Sequence, residues 1–172
     1  MLSLDLDDQP GAIAGLRFAG RSALFLELYL DRPVEQAVAR RFLEPVDRGQ
    51  VVEIGNLVSM LPGAAAMLFS LLPGLLEAAG VRWVTCTATP QVRAMLAKLG
   101  FPSTTICEAD PAAVGDSVES WGSYYESRPL VIAGDVRLAA KLAARNPDAR
   151  RLRCLLEAPI ANAATALRHA RS

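Results

Sequence analysis

The feature that most constrains the fold is a run of 23 residues, 54–76, without a single charged side chain. A membrane helix needs about 20 apolar residues, so length alone would allow this run to span a bilayer. Two Pro-Gly pairs, at 62–63 and 73–74, and the polar Asn56 interrupt it. Its first half is strand-like, whereas apolar residues in its second half recur at helical spacing. The pattern therefore favours a buried strand, a loop and a helix over a membrane span.

The order of patterns predicts an α/β fold, a mixed sheet with helices on both faces. Near-continuous apolar character at 50–60 is typical of a central strand. We predict further strands, helices and connections from alternation, helical spacing and turn residues. The predicted strands cover residues 2–8, 12–20, 23–30, 81–88, 103–107 and 129–136, with a turn at 9–11. The predicted helices cover residues 33–43, 62–79, 89–99, 137–145 and 161–170, with a partly helical connection at 110–127.

Composition indicates one folded domain without a strong electrostatic preference. The 172 residues are 52% hydrophobic, and eighteen basic residues balance eighteen acidic ones, which disfavours nucleic acid as a partner. Three separated cysteines and one histidine predict neither a disulfide framework nor a metal site. The acidic start lacks the order of a signal peptide, so we expect a cytoplasmic location. Eight of the basic residues lie in 137–172, either on a solvated helical face or against an acidic partner.

The junction between the predicted central strand and its helix is the candidate site. A helix start presents free N–H groups and the positive end of a dipole. Gly63, Ala64 and Ala65 are small enough to let a phosphate approach that backbone. Glu53 lies among apolar neighbours, where burial would raise its pKa and make it a proton acceptor. A salt-bridged or edge-facing structural carboxylate is the alternative interpretation.

Four blocks, in order, carry a resemblance to a known family: LFLELYLDRPVEQAV (24–38), VVEIGNLVSMLPGAA (51–65), VTCTATPQVRAMLAKLGF (84–101) and WGSYYESRPLVIAGDV (121–136). Together they resemble the thermostable hemolysin family over most of residues 11–136. That family is similar to GNAT-type N-acyltransferases and, distantly, to acyl-homoserine-lactone synthases. The resemblance implies a mostly antiparallel sheet, splayed at its centre, that holds an acyl thioester in the gap.

The resemblance also implies roles for particular residues. Glu53 would be the general base, and the backbone of Leu57 and Val58 would follow the pantetheine arm. Gly63, Ala64 and Ala65 would cradle a pyrophosphate, and the acyl group would pass directly to an amine. Coenzyme A or a phosphopantetheine thioester would then be a co-substrate, with no tightly bound cofactor.

Two departures from the GNAT pattern bear on the donor and the leaving group. Met60 stands where the phosphate loop usually begins with Arg or Gln, so an acyl-carrier protein becomes an alternative donor to acyl-CoA. Leu96 falls near the position where a tyrosine often protonates the leaving thiolate. A thiol pKa of about 8.5 lets the thiolate leave unassisted near neutral pH.

Aromatic residues are the candidates for the acceptor side. Three aromatic residues line an acceptor pocket, close over the acyl chain, or pin a connection to the sheet: Trp121, Tyr124 and Tyr125. Tyr29, with Asp31 and Glu35, is a further candidate for binding the amine, although a helix cap explains Asp31 equally well.

The resemblance divides the chain into a GNAT-like core, 1–136, and a basic helical extension, 137–172, of the same domain. By that resemblance the chain would begin at the second GNAT strand. The usual first strand and the two helices of the acceptor side would then be either missing or supplied in part by the tail. Pairing with a second copy as a homodimer is a further expectation. The alternatives to an N-acyltransferase are a non-catalytic binding or scaffold protein and, less favoured, a membrane-active hemolysin-like protein.

Overall fold

The computed structural model describes residues 1–171, without the side chains of residues 116–119. The strands are β1 Leu2–Leu6, β2 Gln9–Phe18, β3 Val51–Ser59, β4 Trp83–Ala88, β5 Thr104–Glu108 and β6 Leu130–Asp135. The α-helices are α1 Val34–Phe42, α2 Ala64–Ala78, α3 Pro90–Lys98, α4 Val136–Ala143, α5 Pro147–Leu155 and α6 Glu157–Arg171. Segments of 3₁₀ helix lie at Phe25–Tyr29, Arg48–Gln50 and Pro111–Ser127.

The six strands form one sheet in the order β1-β2-β3-β4-β6-β5. Four of the five neighbouring pairs are antiparallel, and only β3 and β4 run parallel. The uncharged run therefore begins in a central strand, β3, and continues into α2, as its pattern predicted. The expectation of a mixed, mostly antiparallel α/β sheet is confirmed.

The sheet opens at its centre because β3 and β4 pair over only part of their lengths. The ladder joins residues 51–54 of β3 to residues 83–86 of β4, and β3 then continues to Ser59. On the other side of β3, Ala14 of β2 faces both Asn56 and Leu57. Asn56 has a φ of 51°, in the left-handed region. A bulge of this kind bends and twists its strand, which accounts for the divergence of β3 from β4.

Alternation along β3 builds a core on each face of the sheet. Val52 and Ile54 contribute to the cores that include residues of α2, while Val51 packs with Trp83 on the opposite face. On that opposite face the ring of Phe42, from α1, lies 4.5 Å from the Trp83 ring. Because both faces are covered, the first half of β3 is buried and apolar except for Glu53.

Two arginines of the tail, residues 137–172, bind backbone carbonyl groups elsewhere in the same chain. Helices α5 and α6 pack on α2, and Arg168 donates to the Ala78 carbonyl at 2.7 Å. Arg171 donates to the Gly49 carbonyl at 3.2 Å and lies against Gly80, which has a φ of +78°. Cations stabilise the C-terminal end of a helix, so these two arginines are explained without an acidic partner.

Two predicted elements are wrong. The strand expected at 23–30 is instead the 3₁₀ helix Phe25–Tyr29, because carboxylates of Glu27 and Glu53 accept the N–H groups at its start. Those N–H groups are then unavailable to a strand ladder. The first turn lies at Asp7 and Asp8, both with positive φ, and the QPG segment that was expected to turn belongs to β2. Two central residues with positive φ are what a tight type I′ hairpin requires.

Candidate active site

The divergence of β3 and β4 opens a cleft of about 800 Å³, which we call the central cleft. Its walls come from β2, β3, β4, α2 and α3 and from the two 3₁₀ segments at 25–29 and 111–127. The residues that line the central cleft include Arg17, Phe25, Tyr29, Glu53, Leu57, Phe69, Cys86, Thr87, Trp121 and Tyr124. No residue of the tail is among the described residues of its walls, and a contribution of the tail to an acceptor side stays a prediction.

Glu53 lies in the wall of the central cleft and is only 7% exposed. Its Oε2 accepts the N–H of Phe25 at 2.8 Å, and its Oε1 accepts the N–H of Leu26 at 3.0 Å. Burial raises the pKa of Glu53, and the two N–H donors and the charge of Arg17 only partly oppose this. The structure thus holds a carboxylate in one orientation, facing a cleft, with an increased affinity for a proton.

An aromatic wall closes the side of the central cleft away from α2. The ring of Trp121 lies 5.2 Å from that of Phe25 and 5.3 Å from that of Tyr124. The Tyr124 hydroxyl donates to the Thr87 carbonyl at 3.2 Å. Burial raises the pKa of Tyr124 to about 12, so its hydroxyl keeps its proton near neutral pH.

The Tyr29 and Tyr125 hydroxyls lie 2.6 Å apart and link the 3₁₀ segments at 25–29 and 111–127. Burial, and then the bond to Tyr125, raise the pKa of Tyr29. Tyr29 lines the central cleft, and both Tyr29 and Tyr125 pack against the core that contains Trp83. Trp121 and Tyr124 also line the central cleft, and the acceptor-pocket interpretation of the aromatic cluster stays a prediction.

The predicted phosphate segment lies beyond the far end of β3 from Glu53. Leu57 lines the central cleft, and Val58 is 52% exposed beside it. Gly63 begins α2 with a φ of +81° and no side-chain cap, while the Ala64 N–H donates to the Leu61 carbonyl at 3.2 Å. Ala65 follows in the first turn, where N–H groups lack intrahelical acceptors. The roles given to these residues stay predictions.

A cluster of charge that the sequence did not reveal lies behind the 25–29 helix. The Arg48 guanidinium bonds both oxygens of Glu27, at 2.6 and 2.8 Å, and Glu35 at 2.8 Å. Arg48 lowers the pKa of Glu27 to about 2, with help from the N–H groups of Val34 and Leu24. Glu35 is therefore occupied by an ion pair and does not line the central cleft.

The alternative role predicted for Asp31 is wrong. Its carboxylate pairs with the neighbouring Arg32 at 2.7 Å, and Pro33 occupies the N-cap position of α1 without a side-chain bond. The Val34 N–H, in the first turn of α1, is accepted instead by Glu27 at 2.9 Å. The carboxylate from an earlier element replaces the local cap that the sequence suggested.

A second cavity, of about 60 Å³ and almost entirely apolar, lies between the sheet and the helices α2, α3 and α4. It shares Ile54, Phe69 and Cys86 with the walls of the central cleft. Burial raises the pKa of the Cys86 thiol to about 12, so this cysteine stays neutral. Cys86 behaves as a core residue at the boundary between the two spaces.

Sequence reasoning missed two polar residues of the central cleft. Arg17 is the partner of Glu53 across β2 and β3, and Thr87 precedes the end of β4. The buried Thr87 Oγ1 has no hydrogen-bond partner among the described residues. Only the register of the strands identifies Arg17, because it lies 36 positions before Glu53 in the chain.

The model of the family described as thermostable hemolysin matches residues 1–140 of the 172. The chain belongs to the thermostable hemolysin family. Comparison with curated protein sequences finds no match.

Solved structures resemble this thermostable hemolysin family member in fold. One is the structure of BjaI, a CoA-dependent acyl-homoserine lactone synthase, with SAM and isopentyl-CoA. The two structures have a TM-score of 0.55 and 11% sequence identity, and the match covers 83% of this chain and 61% of BjaI. Another is TofI in an apo form: TM-score 0.54, 11% identity, covering 84% of this chain and 71% of that one. The chain thus spans less than two thirds of the length of BjaI. At this identity the likeness shows a GNAT-like fold and nothing further.

The membrane-span interpretation of residues 54–76 is wrong for this fold. Those residues divide between β3, a loop and α2. Among residues 1–171, no helix combines the length and the apolar character that crossing a membrane requires.

Proposed function

We propose that this thermostable hemolysin family member is an N-acyltransferase that moves an acyl group from a thioester to an amine. The observation that carries the proposal is Glu53, a buried carboxylate with a raised pKa in the wall of the cleft between β3 and β4. A general base needs to lie in a substrate-sized space and to have a pKa closer to neutrality than a free carboxylate. Glu53 meets both conditions.

In the proposed reaction, the Glu53 carboxylate takes a proton from the ammonium form of the acceptor. The neutral amine then attacks the thioester carbonyl carbon, and the new C–N bond forms as the C=O electrons move to oxygen. The C–S bond breaks when that carbonyl re-forms, and the sulfur leaves as a thiolate. The nitrogen loses its second proton, so the products are an amide, a thiol and one released proton. No other reactant is needed, and Glu53 returns to its charged form.

The donor is an acyl thioester of coenzyme A or of an acyl-carrier protein. In support, β3 lies beside the opening without a β4 partner after residue 54, which leaves its backbone available to a pantetheine arm through Leu57 and Val58. The small residues Gly63, Ala64 and Ala65 would lie near the phosphate end. The apolar cavity shared with Phe69 and Cys86 suits the start of the acyl chain. BjaI is described as CoA-dependent.

The proposal also covers the division of the chain, its location and the residues around the acceptor. Residues 1–136 form the catalytic core, 137–172 an extension that supports α2, and the protein acts in the cytoplasm. A homodimer stays an expectation. Tyr29, Trp121 and Tyr124 face the acceptor, and Tyr125 holds Tyr29 in place.

The direct test is thiol release from acyl-CoA in the presence of amines, for the wild type and for Glu53→Gln. Removal of a general base lowers kcat/KM by about 10²- to 10⁴-fold. In the wild type, activity should rise with pH through a limb that lies above the ordinary range of a carboxyl, because Glu53 must first lose its proton. Glu108→Gln, at an exposed position of β5, is the matched control.

Two results would contradict the proposal. Unchanged activity in Glu53→Gln would remove the proposed base. Absence of transfer, together with no shift of the melting temperature by acyl-CoA or acyl-carrier protein, would favour the scaffold alternative.

A further inference from the structure

The charged side chains of the central cleft form a single pair of opposite sign. Among its described wall residues, only Arg17 and Glu53 carry charged side chains. They are direct partners across the antiparallel strands β2 and β3, so their side chains project from the same face of the sheet. The Cβ atoms of such partners lie about 4.5–5.5 Å apart. A positive and a negative group thus stand side by side in the wall.

Arg17, a solvent-exposed residue of β2 in the wall of the central cleft, differs from Arg48 and Arg82 in having no partner among the described residues. Arg48 holds two carboxylates, and Arg82 pairs with Glu44 and Asp135. Arg17 makes no hydrogen bond or ion pair with any residue that the structure describes, and it is the only charged residue in β2. A guanidinium group presents paired donors that match the two oxygens of a carboxylate. A carboxylate of a ligand could therefore bind Arg17 without displacing an internal partner.

The position of Arg17 assigns it to the acceptor and not to the donor phosphates. The N-terminal end of α2 follows Ser59, which pairs with Ala12 at the other end of the β2–β3 ladder. Ala12 and Arg17 are five positions apart in β2, which is about 17 Å at 3.4 Å per residue. A phosphate at the start of α2 would be too distant for Arg17 to bind. The aromatic residues Phe25 and Trp121 lie at the Arg17 end of the central cleft instead.

We propose that the acceptor is an amine that also carries a carboxylate, a free amino acid being the simplest case. Arg17 binds the carboxylate, while Glu53 takes the proton of the neighbouring ammonium group. This inference rests on the proposed N-acyltransferase function. It adds a requirement that the function alone does not make, namely that an acceptor without the carboxylate is a poor substrate.

The test compares acceptors that differ only in that group. Thiol release from butyryl-CoA and octanoyl-CoA is measured with common amino acids and with their carboxamides. We expect the best amino acid to exceed its carboxamide by at least roughly tenfold in kcat/KM, the size expected for a charge-assisted bond. Arg17→Met should raise the KM of the amino acid by a similar factor and leave the carboxamide nearly unchanged. Arg21→Met, at an exposed turn position, is the matched control.

Other outcomes separate this inference from the proposed function. Equal rates with an amino acid and its carboxamide would overturn the inference. An equal loss of kcat/KM for both acceptors in Arg17→Met would also overturn it, because Arg17 would then act only on the charge of Glu53. If no transfer is detected, calorimetric titration of the same amino acids into the protein shows whether they bind. Binding that Arg17→Met abolishes would support the carboxylate site and reject the transferase. No binding would reject both.

Discussion

Glu27 and Glu53 are neighbouring carboxylates with similar backbone contacts and opposite protonation behaviour. Each accepts two backbone N–H bonds: Glu27 from Leu24 and Val34, and Glu53 from Phe25 and Leu26. The pKa of Glu27 falls to about 2, whereas that of Glu53 rises.

The difference between the two sites is the cation. Arg48 bonds both oxygens of Glu27, whereas Glu53 has the unpaired Arg17 nearby and is more deeply buried. At Glu53 the two backbone donors do not offset the rise in pKa caused by burial, whereas at Glu27 the bonds to Arg48 more than offset it. Glu27 is thereby suited to hold the 25–29 helix in place, and Glu53 to exchange a proton.

The largest expected effect comes from removing the cation of the Glu27 site. Arg48→Met leaves Glu27 and Glu35 as adjacent, partly buried carboxylates without a counter-charge. We expect the free energy of unfolding to fall by about 2–3 kcal/mol and the melting temperature by about 5–10 °C, measured by calorimetry. Arg32→Met is the control, because its surface pair with Asp31 is worth about 0–1 kcal/mol. Equal losses of stability in the two variants would show that Arg48 stabilises the fold no more than a surface ion pair does.

The next effect concerns the pH dependence of stability at Glu27. Its folded pKa, about 2, lies below the ordinary value of 4.5, so its contribution is complete above pH 4.5 and disappears as the pH falls toward 2. Glu27→Gln should cost about 2 kcal/mol of folding free energy at neutral pH, because Arg48 is 31% exposed and solvent screens part of its interaction with Glu27. Denaturant titrations from pH 5 to 2 should show a smaller loss of stability in the variant. A parallel loss in both proteins would contradict the assignment.

The smallest expected effect is the opposite pH trend at Glu53. Its folded pKa is raised, so the stability it contributes is complete below the ordinary carboxyl pKa and is lost as the pH rises through the folded pKa. Glu53→Gln cannot lose a proton there. The stability of this variant relative to the wild type should therefore increase between pH 4 and 7, as measured in the same titrations. A difference that stays constant with pH would mean that the Glu53 pKa is not raised.

The two carboxylates also differ in how far the sequence revealed them. Glu53 could be singled out because apolar residues surround it in the chain, and a lone carboxylate among them predicts burial. Glu27 has a strand-like context, and its partner Arg48 is 21 positions away. No local pattern indicates such a pairing, because the ion pair forms only when the 25–29 helix packs against residues that precede β3.

Sequence alone determined most strands and helices, the junction between β3 and α2, and the candidate Glu53. These features can be predicted because they depend on local sequence: on the periodicity of apolar residues and on the positions of Pro and Gly. Tertiary structure decided the 3₁₀ helix in place of a strand, the bulge that opens the central cleft, and the position of Arg17 opposite Glu53 in the strand register. These features depend on hydrogen bonds and strand register between distant segments, which the chain acquires only when the whole sheet has formed.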